Sequence, residues 1–181
     1  MTSSMNVTVT CPQCKAQSQA EVWTSVNNVE NPDEAQWLID GFLFKHACPE
    51  CGNEMTLNHD CLFHDAVHKA MVLYVADPTK AHESFEVLDA RKPRGYVARL
   101  VASRDELREK AAIMRDGLDD RAVEVAKQAV FNRFVSVGEV VRDARPLYGA
   151  LDEDGGIIVE FISEQGSLET TVSRDLYDGI A

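Results

Sequence analysis

The sequence predicts an α+β fold, and three observations support this prediction. Short β-branched runs separated by turn residues occupy much of the chain up to Ala76. Apolar residues at helical spacing extend from Ser103 to Phe134, and β-like runs return after Gly156. With 181 residues, of which 45% are hydrophobic and 27% charged, the chain fits one globular unit or a domain with an appendage.

The first half of the chain reads mainly as strands with one inserted helix. Strand-like patterns cover residues 7–10, 20–26, 44–47 and 54–76. Asn31 is a helix-capping residue and Pro32 suits the first helical position, so a short helix is expected to follow and to stop near Gly41. Asp77-Pro78 is expected to break the strand pattern, residues 79–99 give a weaker signal, and residues 91–95 read as an exposed turn.

The second half predicts two helices followed by a β-hairpin. Ser103 and Glu106 form a capping box, and Asp119 can cap the second helix. Matching apolar stripes are formed by Leu107, Ala111, Met114 and Leu118, and by Val123, Ala126, Val130 and Phe134. The short connection predicts an antiparallel helical hairpin. Residues 156–162 and 167–172 then predict a terminal β-hairpin, with residues 147–148 as a candidate third strand.

Four of the five cysteines form two Cys-Pro-x-Cys motifs that are separated by 33 residues, Cys11-Pro12-Gln13-Cys14 and Cys48-Pro49-Glu50-Cys51. Two thiolates separated by two residues can bind one cation, and a second pair completes a closed tetrahedron. The spacing therefore predicts Cys11, Cys14, Cys48 and Cys51 as ligands of a structural zinc ion. Iron in a rubredoxin-like centre uses the same turns and stays an alternative.

Two other interpretations of the cysteine pairs are open. The four thiols can be unrelated buried side chains, or the motifs can belong to a thiol-disulfide exchanger, in which the first thiolate lies at a helix N-terminus. Neither pair is followed by a convincing helix, which argues against the exchanger. Gly52 suits a left-handed backbone directly after the second pair, whereas Lys15 suits the equivalent place less well.

The two motifs, with the acidic helical region between them, resemble the CpXC domain family. The segment Phe63-His64-Asp65 is similar to that family's aromatic-His-Asp segment. Arg99-Leu100-Val101, Glu109-Lys110 and Gly117–Arg121 are similar to the helical part of its longer members, so that the resemblance covers residues 7 to 134. It implies a zinc-ribbon-like prokaryotic domain without an assigned biochemical role. It implies metal binding by the four paired cysteines and no catalytic residues.

A second cluster of metal-ligating residue types follows the second motif. The segment from His64 to His68 differs by one residue from the zincin motif, but its aspartate is shorter than the glutamate base and its neighbours favour a strand. On a strand the two histidines would lie about 13 Å apart, too far for one metal. A metal site built from His59, Cys61, His64, Asp65 or His68 is therefore a minor alternative. We expect hydrogen-bonded or solvated histidines, and Cys61 as a small buried hydrophobe.

The net charge of −12 argues against nucleic-acid and anionic-membrane partners, because the molecule as a whole repels phosphates. The basic cluster Arg91, Lys92, Arg94 and Arg99 reads as a solvated loop. Trp23, Trp37 and Phe44 are assigned to the core of the segment between the motifs. No secretory signal or membrane span is recognisable, so the expected compartment is the cytoplasm.

These observations predict a zinc-ribbon-like antiparallel sheet with an inserted helix in residues 1–97, a helical hairpin in 98–145 and a β-hairpin in 146–181. The predicted function is that of a zinc-binding, non-enzymatic module that binds another protein or a second copy of itself. A thiol-based redox switch is the first alternative, and a nucleic-acid-binding zinc ribbon is less favoured.

Overall fold

A computed structural model describes residues 2–181 and confirms the predicted α+β class. The strands are β1 (Ser3–Thr10), β2 (Gln17–Asn27), β3 (Lys45–Ala47), β4 (Glu54–Thr56), β5 (Cys61–Asp65), β6 (Ala70–Tyr74), β7 (Val97–Val101), β8 (Arg145–Leu151), β9 (Ile157–Ser163) and β10 (Gly166–Val172). The helices are α1 (Pro32–Asp40), α2 (Pro78–Arg91), α3 (Arg104–Arg115), α4 (Asp120–Ser136) and α5 (Arg174–Asp178). No helix in this part of the chain is both long and apolar enough to cross a bilayer.

The chain forms two compact units, the first ending at Ala111 and the second comprising Ala112–Ala181. The boundary lies inside α3. The sequence-based segments 1–97, 98–145 and 146–181 place their boundaries elsewhere, and they stay a prediction.

The first unit contains a five-stranded sheet in the order β1-β2-β5-β6-β7. β1–β2 and β5–β6 pair antiparallel, whereas β2–β5 and β6–β7 pair parallel. The sheet is thus mixed, whereas the sequence predicts an antiparallel sheet. Parallel neighbours need a crossover connection. The segment with α1, β3 and β4 provides one between β2 and β5, and α2 provides the other between β6 and β7.

Helix α1 forms as predicted. Asn31 precedes it, Pro32 occupies its first turn, and Gly41 ends it in the left-handed conformation at φ 82°. The helix buries Leu38 fully. Trp37, which was predicted to lie in the core, is 48% exposed because it lies on the opposite face of the helix. Phe44 is buried as predicted, and Trp23 is half-buried.

Helix α2 and strand β7 lie where the sequence signal is weak. The Asp77 side chain accepts a hydrogen bond from the Thr79 amide at 3.0 Å, and Pro78 occupies the first turn. None of the residues of α2 is fully buried. A helix without a buried face needs no apolar stripe, and this explains the weak sequence signal. Residues 99–101 were compared with a helical part of the CpXC family, but they belong to β7.

The two helices predicted after Ser103 are present as α3 and α4, joined by residues 116–119. The four predicted stripe positions from Leu107 to Leu118 are buried, as are Val123 and Ala126 in α4, whereas the other two predicted positions, Val130 and Phe134, are half-buried. In the second unit, α4 packs against β8 and α5. The terminal sheet has three antiparallel strands in the order β10-β9-β8, so the candidate third strand is confirmed. Phe161 on β9 lies 5.4 Å from the ring of Phe134 on α4.

Candidate metal centre

The structure brings the four paired cysteines together. Their Sγ atoms all lie within 4.8 Å of one another. Sulfurs of different motifs lie 3.6 Å apart, Cys11 from Cys51 and Cys14 from Cys48. All five cysteines are free thiols, so these short distances do not reflect disulfide bonds.

The two motifs fold into the same turn, which we call a knuckle. The first knuckle is residues 11–16, between β1 and β2, and the second is residues 48–53, between β3 and β4. In the first, the Cys11 amide donates to the Ala16 carbonyl at 2.9 Å, and in the second the Cys48 amide donates to the Asn53 carbonyl at 2.9 Å. Each knuckle therefore closes a hairpin and places two sulfurs at its tip.

Lys15 and Gly52 occupy equivalent positions in the two knuckles. The Lys15 amide donates to the Cys11 carbonyl at 3.0 Å, and the Gly52 amide donates to the Cys48 carbonyl at 2.9 Å. Both residues have a left-handed backbone, with φ 63° at Lys15 and 72° at Gly52. Lysine thus adopts the conformation that glycine favours. Its side chain helps, because Lys15 Nζ donates to the Pro12 carbonyl at 2.9 Å.

Backbone amides stabilise negative charge on the sulfurs. Hydrogen bonds from the Cys14 and Gln13 amides lower the pKa of the Cys11 thiol to about 6, although burial opposes the shift. The Ala16 amide hydrogen-bonds to Cys14 and the Asn53 amide to Cys51. Neither Ala16 nor Asn53 was identified from the sequence. Both follow the second cysteine of a knuckle by two positions.

Four thiols this close cannot all ionise without a compensating cation. The Asn53 amide favours the Cys51 thiolate, but burial and the three neighbouring thiols raise its pKa to about 12. The Ala16 amide and the Cys51 thiol favour the Cys14 thiolate, but burial and the thiols of Cys48 and Cys11 outweigh them and raise the pKa of Cys14. A divalent cation would remove this repulsion, so the electrostatics of the cluster favour a bound metal.

The arrangement of the sulfurs fits a tetrahedral metal ion. Zinc–sulfur bonds of about 2.3 Å place the ligands of a tetrahedral site about 3.8 Å apart. The two 3.6 Å distances are close to this value, and the 4.8 Å limit requires only a small contraction. Cys11, Cys14, Cys48 and Cys51 can therefore hold a metal ion.

Two basic residues near the cysteines, Lys45 and His46, contact side chains other than the cysteines. Lys45 Nζ forms an ion pair with Glu54 at 2.9 Å across the β3–β4 hairpin. His46 Nε2 lies 2.9 Å from the hydroxyl of Ser18, which connects that hairpin to β2. The His46–Ser18 contact therefore holds the hairpin of the second knuckle against the strand that follows the first knuckle.

Cys61 lies apart from the cluster, as predicted. It is fully buried on β5, and burial alone raises the pKa of its thiol to about 12. The neighbouring His59 stacks on Phe44 with ring centroids 4.8 Å apart, and burial lowers its pKa. Cys61 therefore has the properties of a small apolar core residue.

Asp65 and His68 are hydrogen-bonded to each other, whereas the His64 side chain has a separate partner. Asp65 is fully buried at the end of β5, whereas His68 lies in the turn before β6 and not on the strand assumed in the sequence analysis. The His68 Nδ1 atom lies 2.7 Å from Asp65 Oδ2, and the His64 Nδ1 atom lies 3.0 Å from Asn27 Nδ2. Among residues 2–181, the four paired cysteines form the one group of three or more close metal-ligating side chains.

Among the comparisons with known proteins, one family model matches the region of the chain that contains the candidate metal centre. The model of the family described as "CpXC protein" matches residues 9–127, a range that contains both knuckles and the network around Asp65. Neither the curated proteins nor the solved structures contain a significant match to the chain. Because the matched range covers more than half of its length, the chain belongs to the CpXC family.

Proposed function

We propose that the four-cysteine cluster binds one structural zinc ion and that the protein is a non-enzymatic interaction module. The observation that carries the proposal is the pairing of two equivalent knuckles with all four Sγ atoms within 4.8 Å. Four protein thiolates satisfy a tetrahedral zinc ion and leave no position for water or substrate, unlike a catalytic zinc site. Zinc would then join the β1–β2 and β3–β4 hairpins.

Elemental analysis of the purified full-length chain tests the zinc site. The wild type should contain one zinc per chain, and iron in its place would contradict the choice of metal. Cys51→Ser is the informative variant, because Cys51 is an exposed residue, unlike Cys11 and Cys48. It should lose zinc and lower the stability of the first unit by several kcal/mol, since structural zinc sites have apparent binding free energies on the order of 10–16 kcal/mol.

Cys61→Ala is the matched control, since it also removes a thiol from the first unit. It should keep one zinc per chain, because Cys61 lies outside the cluster. A Cys51→Ser protein with full zinc content and wild-type melting would contradict the proposed site. Loss of zinc in both variants would mean that unfolding, and not ligand removal, releases the metal.

A thiol redox switch is the second candidate, and the exposure of Cys14 and Cys51 favours it. In this reaction, two thiols of the cluster would be oxidised to a disulfide, and one hydrogen peroxide would accept their two electrons and two protons and become two water molecules. The 3.6 Å distances predict disulfides between the knuckles, Cys11 to Cys51 and Cys14 to Cys48. Zinc that stays bound after mild peroxide treatment, with all thiols still titratable, would contradict this candidate.

A further inference from the structure

Strand β1 has an open outer edge. It is the first strand of the five-stranded sheet, and β2 is its one strand neighbour among the described residues. Its eight residues form the longest outer strand of the two larger sheets, with a length of about 27 Å. Most of its side chains are exposed, including Met5 at 55%. An open edge of this kind can pair with another strand.

The other outer strands carry features that oppose such pairing. β7 contains Arg99 and packs against α2. β8 contains Arg145 and Pro146 and has a register shift at its Gly149, and β10 contains Glu169. Charged residues, proline, irregular register and covering helices all hinder edge-to-edge association. β1, with the sequence Ser-Ser-Met-Asn-Val-Thr-Val-Thr, contains neither a charged residue nor a proline, and its register shift lies at its first residues, between Ser3 and Ser4.

The apolar face of the sheet continues to this edge. Met5 lies opposite Val22 and Val7 lies opposite Ala20, both of which are buried on β2. Side chains alternate along a strand, so Met5, Val7 and Val9 share this face. Val22 is 3% exposed, whereas Met5 is exposed because no strand lies beyond it. Another strand at this edge would cover Met5 and extend the core.

The strand is complementary to itself. If two copies pair antiparallel around a two-fold axis at Val7, then Val7 faces its counterpart and Met5 faces Val9 twice. Asn6 then faces Thr8 on the other side of the sheet. Apolar and β-branched pairs of this kind stabilise antiparallel strands. Each chain carries a net charge of −12, so two copies repel each other overall, but the uncharged β1 brings no like charges directly opposite each other.

We infer that two copies of this chain associate through β1, forming one continuous ten-stranded sheet with a two-fold axis at Val7. The inference rests on the interaction part of the proposed function and names the partner as a second copy. Because the overall repulsion is screened by salt, association strengthens as ionic strength rises.

Sedimentation equilibrium of the full-length, zinc-loaded chain tests this inference with two double variants. Asn6→Lys with Thr8→Lys places lysines opposite each other twice in the dimer, and should weaken association roughly tenfold. Asn6→Lys with Thr8→Glu places a lysine opposite a glutamate twice, and should associate at least as tightly as the wild type. Ser167→Lys with Glu169→Lys on β10 is the matched control and should associate like the wild type.

A wild type that stays monomeric at all concentrations would overturn the inference. This outcome includes the case in which β1 binds a strand of a different protein and not a second copy of this chain. A double-lysine variant that associates like the wild type would also overturn it, as would a lysine–glutamate variant as weak as the double-lysine variant. Zinc content is measured on the same samples. A monomer with one zinc per chain would therefore refute self-pairing and leave the zinc site intact.

Discussion

Replacing Asp65 with alanine should destabilise the first unit more than any exposed substitution near it. The carboxylate is fully buried and accepts four hydrogen bonds. Its Oδ1 atom accepts from the amides of Val67 and His68 at 2.9 Å each and from Asn28 Nδ2 at 2.8 Å. Its Oδ2 atom lies 2.7 Å from His68 Nδ1. The loop before α1 and the turn before β6 are both held by this one side chain.

The magnitude follows from these contacts. Hydrogen bonds to a charged group contribute about 1.5–3 kcal/mol each, and Asp65→Ala removes the acceptor of two backbone amides, so the loss is about 3–6 kcal/mol. Asp65→Ala should therefore lower the free energy of unfolding by that amount. Asp65→Asn keeps an oxygen acceptor for the two amides and should cost about 1–2 kcal/mol. Asp77→Ala is the control, since it removes an exposed helix cap and should cost about 1 kcal/mol.

The pH dependence has a defined sign. Burial disfavours the Asp65 carboxylate, but hydrogen bonds from His68 and Asn28 outweigh burial and hold its pKa below the usual value. A group whose pKa is lowered in the folded state contributes stability above its unfolded pKa of about 3.9, and this contribution is lost as the pH falls through the folded pKa. The difference in stability between the wild type and Asp65→Asn should thus shrink in acid.

Urea unfolding monitored by tryptophan fluorescence measures these effects, because Trp23 and Trp37 both lie in the first unit. Zinc is kept saturating near neutral pH, and the acid series compares the variants at the same metal content. If Asp65→Ala costs no more than Asp77→Ala, the buried network does not stabilise the fold. A difference between wild type and Asp65→Asn that stays constant into acid would refute the assigned pKa shift.

Three further predictions concern single residues or pairs. Gly52→Ala should keep its zinc and lower the free energy of unfolding by about 1 kcal/mol in a thermal melt. The backbone φ of 72° penalises a side chain, but no atom lies within 4 Å of the added Cβ. Loss of zinc would contradict the equivalence of the two knuckles. Zinc binding near neutral pH should release at least two protons, because the pKa values of Cys14 and Cys51 are raised. The apparent affinity for zinc should therefore rise about a hundredfold per pH unit. Calorimetry in buffers of different ionisation enthalpy counts the released protons, and fewer than two would contradict the pKa shifts. Tyr177→Phe should lower the melting stability of the second unit by about 1 kcal/mol, because the buried hydroxyl accepts a 2.8 Å hydrogen bond from the Asp119 amide, and an unchanged melting curve would argue against this role.

Features set by neighbouring residues could be predicted from the sequence. The Cys-Pro-x-Cys spacing predicted the four residues that the structure brings together. Asn31-Pro32 and Gly41 predicted both ends of α1, because capping depends on local backbone conformation. The buried stripes on α3 and α4 followed from helical spacing.

Features set by distant pairing could not. The parallel pairing of β2 with β5 joins Ser25 to Leu62, and nothing local in either strand encodes this choice. Asp77-Pro78 was interpreted as the end of a strand, although the same pair starts α2, because that helix has no fully buried residue and hence no clear stripe. His68 was predicted to lie on a strand, but it lies in a turn. Hydrogen bonds to the buried carboxylate of Asp65 hold this turn, and the local sequence does not show that burial.

The β3–β4 ribbon contributes only three residues to each strand and forms a sheet of its own. A two-stranded ribbon of this size is at best marginally stable by itself. It depends on Phe44, on the contact between His46 and Ser18 and, under the proposed function, on the metal. Withdrawal of the cation would then expose the ribbon amides to hydrogen–deuterium exchange before those of β5 and β6, so the ribbon would be the first segment of the destabilised unit to open.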